Sequence, residues 1–184
     1  MNIIILACSL NPKSRSFQMS KFTQEYLSAE DNNINVELLD LRETPLPFCD
    51  GGACYADERV WALQGKIKKA DLVIFSVPIY NYEINSAAKN LIDLAGDALK
   101  NKTIGFMAAA GGESSYMSLL PTISSMMLQH RALIVPRYVY ASYKSFSKEG
   151  ELIDDTVKDR LKDLVNQGAE LASMGNTILE KFNK

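Results

Sequence analysis

"NIIILACSLNPKSRSF", Asn2–Phe17, is the stretch that decides the fold. Its first half, Asn2–Cys8, is a continuous apolar run rich in isoleucine. A strand covered on both faces reads this way, because neither side of the pleat meets water, and strands of parallel sheets are covered on both faces. The run then breaks directly into Ser9, Lys13, Ser14, Arg15 and Ser16 with no glycine. From Ser16 to Ala29 the rhythm is helical, with Phe17, Phe22, Tyr26 and Leu27 roughly along one side. Buried strand, polar turn and amphipathic helix together make the first half of a βαβ unit.

The same alternation continues outward. Ile34–Leu39 reads as a second strand and Asp57–Lys69 as a helix facing inward through Val60, Leu63 and Ile67. "DLVIFSVP", Asp71–Pro78, is a third strand, again apolar without alternation. Ser86–Leu99 follows as a helix with Ala88, Leu91, Ile92 and Ala95 inward. A fourth strand ends near Ala109, and Ser115–Gln129 is helical with Pro121 expected to kink or interrupt it. "ALIVP", Ala132–Pro136, is the fifth strand, and Asp154–Phe182 closes the chain as a helix with Val157, Leu161, Leu164, Val165, Ala172, Ile178 and Leu179 at helical spacing. Strands alternating with helices require right-handed crossovers and a parallel sheet with helices on both faces. Five strands in this length predict an α/β doubly wound sheet in the order 2-1-3-4-5.

The length, 184 residues, suits one domain, residues 1–184, and is too short for two ordinary ones. A net charge of −2 without a basic stripe argues against nucleic acid as a partner. No apolar run approaches the ~20 residues that span a bilayer, and no basic flank or cleavage-like site precedes the first strand. Three cysteines, Cys8, Cys49 and Cys54, are an odd number that fits free thiols in a reducing cytoplasm better than a disulfide framework. The long irregular stretch Leu41–Ala56, "LRETPLPFCDGGACYA", is the length of loop that is usually functional or covered by a partner.

In this topology a ligand sits outside the carboxyl ends of the strands, where the strand order reverses beside strands 1 and 3. The turns after those strands are Ser9–Ser16 and "VPIYN", Val77–Asn81. A helix starting near Arg15 offers unpaired N–H groups and the positive end of its dipole. Ser9, Ser14 and Ser16 add hydroxyls, and Arg15 adds a forked cation. That set suits the dianion of a phosphate monoester. It does not suit a dinucleotide pyrophosphate, whose G-x-G-x-x-G turn needs glycines, and it lacks the G-K-[ST] of a P-loop. The plainer alternative is a polar turn with Ser14 as an ordinary helix cap. After strand 4, Gly111 and Gly112 permit close approach of backbone to a planar ligand, or simply make a flexible turn.

These motifs, taken together, resemble the flavodoxin-like NADPH-dependent FMN reductase family, which includes small flavin, quinone and azo-dye reductases. The likeness rests on Ser9 and "SRS" (Ser14, Arg15, Ser16), on "PIYN" (Pro78, Ile79, Tyr80, Asn81) leading into "AAKNLIDL", and on Gly111–Gly112. It runs over most of residues 2–135. The resemblance implies FMN as cofactor and NADPH or NADH as co-substrate. It places the FMN phosphate on Ser9, Ser14, Arg15 and Ser16, and the ribityl chain and ring along Pro78, Ile79, Tyr80 and Asn81. Gly111 and Gly112 fall near the pyrimidine end. It also implies a homodimer or homotetramer and a small-molecule electron acceptor. After Asn81 this chain departs, with "YEINSA" where many members have a small residue and "PG".

The inventory of reactive groups agrees with hydride transfer carried by a cofactor. There is one histidine, His130, read as a surface or interface residue, and no Ser-His-Asp set or metal cluster, so no catalytic side chain and no metal ligand is assigned. Cys49 and Cys54 are left as two free thiols, a redox pair, or half of an iron–sulfur site shared between subunits. Three functions remain open at this point. They are a reductase, a flavodoxin-type electron carrier docking to proteins, and a domain that has lost its cofactor. The modest charge and the single Trp61, placed on a helix, weigh against the carrier.

Overall fold

The computed structural model describes residues 1–30 and 33–182, with side chains for all of these except 30 and 176–182. The expected inward positions of Ile178 and Leu179 lie outside the described side chains. Among the described residues seven strands form one sheet. They are β1 (Asn2–Ala7), β2 (Asn35–Asp40), β3 (Leu72–Tyr80), β4 (Glu83–Ile84), β5 (Thr103–Ala109), β6 (Leu133–Ile134) and β7 (Val139–Ala141). The helices are α1 (Arg15–Glu30), α2 (Glu58–Lys69), α3 (Ser86–Ala95), α4 (Leu120–His130) and α5 (Asp155–Phe182). The sheet runs β2-β1-β3-β5-β6, all parallel, with β4 antiparallel to β3 and β7 parallel to β5. Counted by parallel positions this is the expected 2-1-3-4-5, the flavodoxin-like order.

The unbroken apolar runs have a direct cause. Alternate residues of each central strand enter two different cores. Ile4, Leu6, Val73, Phe75 and Phe106 pack with Leu63 and Ile67 of α2 and Leu91 and Ala95 of α3. Ile3, Ile5, Leu72, Ile74 and Met107 pack on the opposite face with Met19 and Leu27 of α1 and Leu161 and Leu164 of α5. Phe75 and Phe106 stack across β3 and β5 with ring centroids 5.4 Å apart.

Four local expectations change. The fifth position is filled by two short strands, not by Ala132–Pro136 alone. Val135 N–H still bonds the Ile104 carbonyl at 2.9 Å. Pro136 then has no N–H to give and Arg137 turns left-handed (φ 58°), so pairing resumes only at Val139. Second, "PIYN" is not a plain exit loop. β3 continues to Tyr80 and reverses through Asn81 and Tyr82, with φ of 52° and 63°. Two positive φ values are what the tightest hairpins require. Tyrosine is costly there, by about 1–2 kcal/mol, and Tyr82 is tethered by its hydroxyl to Ser114 Oγ at 2.9 Å. Third, Pro121 does not kink a helix. It sits in the first turn of α4, where its missing N–H has no intrahelical partner to lose, after a 3-10 turn at Tyr116–Leu119. Fourth, α3 stops at Ala95, because Gly96 leaves the helix with φ 50°, and a 3-10 turn carries the chain to Leu99.

Candidate functional site

The carboxyl ends of β1, β3 and β5 open on one cavity of about 600 Å³. Ser9, Ser14, Arg15, Ser16, Pro78, Ile79, Tyr80, Asn81 and Gly111 all line it. Gly112 does not. Its carbonyl accepts the Tyr140 hydroxyl at 2.6 Å, so that glycine anchors its loop to β7.

The turn after β1 holds its shape through side chains, which explains how it manages without glycine. Asn11 N–H donates to Ser9 Oγ at 3.3 Å, and Lys13 N–H donates to Asn11 Oδ1 at 2.9 Å. Ser14 caps α1 by accepting the Phe17 N–H at 3.1 Å, and its hydroxyl also meets Ser16 Oγ at 3.0 Å. The N–H groups of Arg15 and Ser16, at the first two helical positions, have no intrahelical acceptor. Both residues line the cavity together with Ser9 and Ser14. Ser9, Ser14 and Ser16 are buried while Lys13 and Arg15 are exposed, so neutral donors line the seat and cations surround it. The Arg15 guanidinium lies over the Phe146 ring, 5.9 Å from its centroid.

This turn is braced from behind. Ser76 of β3 donates through Oγ to the Ser16 carbonyl at 2.8 Å, and its own carbonyl accepts the Cys8 N–H at 2.9 Å. Asn85, in the segment "YEINSA", donates through Nδ2 to the Cys8 carbonyl at 2.8 Å. The divergent segment thus cross-links the end of β1 to the start of α3. Cys8 itself is fully buried, and burial pushes its thiol far above the ordinary range, so it is inert.

One part of the wall was missed by sequence reasoning. Ser147, Lys148, Glu149 and Gly150 also line the cavity. They follow β7, so a fifth strand placed only at Ala132–Pro136 gave no reason to look there. The signal was the general rule itself: ligand loops follow strand ends, and "VYA" is a strand end. Asn11, Ala109 and Ala110 also line the wall. His130 is not at the surface of the chain. It is buried, with Nδ1 lacking a partner, and burial lowers its pKa. It borders a second cavity of about 710 Å³ between α3 and α4. Among the described residues no group of three or more His, Cys, Asp or Glu side chains is placed to hold a metal. No described helix is long and apolar enough to cross a membrane.

The donor set fits a phosphate monoester: a capped helix N-terminus, three hydroxyls and two adjacent cations. Gly111 fits the remainder, since nothing lies within 4 Å of where its Cβ would stand and backbone is therefore exposed to a flat ligand. Residues 1–146 match the NADPH-dependent FMN reductase family. The chain belongs to that family.

The chain is 31% identical over 134 residues to a NAD(P)H-dependent FAD/FMN reductase of Geobacillus thermodenitrificans, covering 71% of this chain and 72% of that protein. It is 26% identical over 171 residues to an FMN-dependent NADH:quinone oxidoreductase of Bordetella petrii, covering 76% and 82%. The fold is shared with apo NADH:FMN oxidoreductase EmoB, with a TM-score of 0.73 at 15% identity, covering 91% of this chain and 87% of the other. Family membership makes this chain an oxidoreductase of the NADPH-dependent FMN reductase type. The match ends at Phe146, just before the Ser147–Gly150 wall. Ser147–Gly150 therefore lie outside the matched residues.

Proposed function

We propose that this FMN reductase binds FMN with its phosphate on Ser9, Ser14, Arg15 and Ser16. It takes hydride from NADPH or NADH and passes the electrons to a small acceptor of the flavin, quinone or azo class. The observation that supports this best is the convergence of the β1 turn, the β3–β4 hairpin and the Gly111 loop on one cavity. FMN, when bound, supplies the hydride-accepting ring. The chain's own groups bind and orient. Ser14, Ser16 and the first N–H groups of α1 receive the phosphate, with Lys13, Arg15 and Lys148 supplying positive charge around the cavity. Pro78, Ile79, Tyr80 and Asn81 form one flank. Ala110 N–H is engaged by the Ala141 carbonyl at 2.9 Å, so Gly111 carries the first N–H that the sheet leaves available to stabilise negative charge. No histidine or cysteine lines the cavity, and the role assigned to its lining is to bind and position the flavin.

A homodimer or dimer of dimers accompanies this reading. In α4 and the turn before it Leu119 and Met126 face the core, while Met117, Leu120, Met127 and Leu128 stay exposed. Phe48, in the loop after β2, is 88% exposed, and Leu128 is 85% exposed. Apolar groups in such number on neighbouring elements fit a surface covered by a second copy. Offering the protein equimolar FMN and FAD, then releasing bound flavin by denaturation and separating it, tests the cofactor assignment. FMN is expected; FAD as the sole bound flavin contradicts the phosphate-seat argument.

A further inference from the structure

We propose that Cys49 and Cys54 are a reversible redox pair, oxidised by peroxide to an intramolecular disulfide in the loop between β2 and α2. Neither thiol lines the cavity at the strand ends, so the pair is separate from the flavin site. Cys49 packs against the small apolar cluster in which Cys54 is buried with Val60 and Leu94, and lies at its edge. One thiol is thus reachable and its partner is sheltered directly behind it.

The loop is organised to keep them so. Asp50 Oδ1 accepts the N–H groups of Gly52 at 2.8 Å and Cys54 at 3.1 Å, folding the chain back on itself. Gly51 makes the reversal at φ 72°, a conformation that favours glycine. Cys49 N–H is pinned to Asn90 Oδ1 of α3 at 2.8 Å. The Tyr55 hydroxyl lies 3.4 Å from Cys49 Sγ.

The electrostatics agree with the geometry. The Tyr55 hydroxyl, with help from a loop N–H, lowers the Cys49 pKa, against opposing pushes from partial burial and from Asp93. Burial and a hydrogen bond to Asp50 raise that of Cys54. One sulfur is therefore the better thiolate nucleophile and the other a protonated resolving thiol.

The chemistry balances with hydrogen peroxide as the oxidant. Cys49 thiolate attacks one peroxide oxygen, the O–O bond breaks, and the leaving hydroxide takes a proton to become water. Cys49 is left as a sulfenic acid. Cys54 sulfur then attacks Cys49 sulfur, the S–O bond breaks, and the departing hydroxyl leaves as water with the Cys54 proton. Two thiols have lost two hydrogens and one peroxide has become two waters. A dithiol reductant restores both thiols by exchange. A bridge across so short a loop constrains the unfolded chain less than a long-range one, and a bridge with one sulfur at the surface is open to reduction by exchange. Both points favour a switchable bond over a structural one.

The test uses the reduced full-length chain treated with equimolar hydrogen peroxide, quenched with an alkylating reagent and peptide-mapped by mass spectrometry. A Cys49–Cys54 cross-link is expected, reversed by dithiothreitol, with Cys8 remaining a thiol. In Cys54→Ser, dimedone should trap a sulfenic acid at Cys49; in Cys49→Ser it should leave Cys54 unlabelled. Tyr55→Phe should slow the reaction several-fold near neutral pH. Full alkylation of Cys49 and Cys54 after peroxide overturns the proposal. So does wild-type Cys49 carried to sulfinic acid beside a free Cys54.

Discussion

Ser76 Oγ, on the central strand β3, donates to the Ser16 carbonyl in the first turn of α1 at 2.8 Å, and both residues are buried. This bond sets the height of the helix N-terminus against the sheet, and so sets the floor of the phosphate seat. The Ser16 carbonyl also accepts Ser20 Oγ at 3.2 Å, so removing Ser76 does not orphan it. Ser76→Ala should therefore cost only about 0.5–1.5 kcal/mol in urea unfolding. Its FMN dissociation constant should rise even with the fold intact. Unchanged FMN affinity would show that the seat is fixed by the turn's own hydrogen bonds.

Arg15 sits at the rim of the seat with its guanidinium over Phe146. If it swings onto the phosphate, Arg15→Ala should weaken FMN binding by about 1.5–3 kcal/mol, the scale of a charged hydrogen bond. Arg15→Lys should recover part of that, since a point charge replaces a fork. Titration by quenching of flavin fluorescence reads both. A folded Arg15→Ala chain with wild-type affinity would mean that the guanidinium stays on Phe146.

Much of this was legible in the sequence for a physical reason. Strands buried on both faces leave unbroken apolar runs, so β1, β3 and β5 announce themselves, and the ligand rule then points to the turns after them. The weak fifth position left only a partial trace, "ALIVP", which holds β6 alone. Leu133 is exposed, Ile134 is partly covered and the ladder breaks at Pro136, so the second segment, Val139–Ala141, does not read as a continuation. The cost was the whole Ser147–Gly150 wall. A glycine pair looks symmetrical in sequence, whereas of the two only Gly111 lines the cavity. The hairpin at Asn81–Tyr82 was hidden because tyrosine is a poor residue for positive φ and is held there by Ser114, distant in sequence.

Asp57 caps α2 by accepting the Arg59 N–H at 2.8 Å and pairs with the Arg59 guanidinium at 2.6 Å, which pulls its pKa down to about 2. A depressed carboxylate stabilises the fold above its unfolded value, about 3.9, and that contribution fades as pH falls through the folded value. The melting-temperature gap between wild type and Asp57→Ala should be constant from neutral pH to about pH 4 and narrow below it. A gap that stays constant down to about pH 2 would show that the cap does not depend on the Asp57 charge.

The exposed side chains of Met127 and Leu128 on α4 supply the test of assembly. Light scattering at micromolar concentration should give the mass of two or four chains, and Met127→Lys with Leu128→Lys should reduce it. A single-chain mass for the wild type contradicts the proposed homo-oligomer.

The central claim is that the cavity at the strand ends serves a reductase. The FMN-loaded protein is mixed anaerobically with NADPH, and separately with NADH, while flavin absorbance is followed, and then a quinone or free flavin is added. Fast bleaching by at least one nicotinamide, followed by recovery of the colour on adding acceptor, is the predicted result. Bleaching by dithionite but by neither nicotinamide would contradict it and point to an electron carrier.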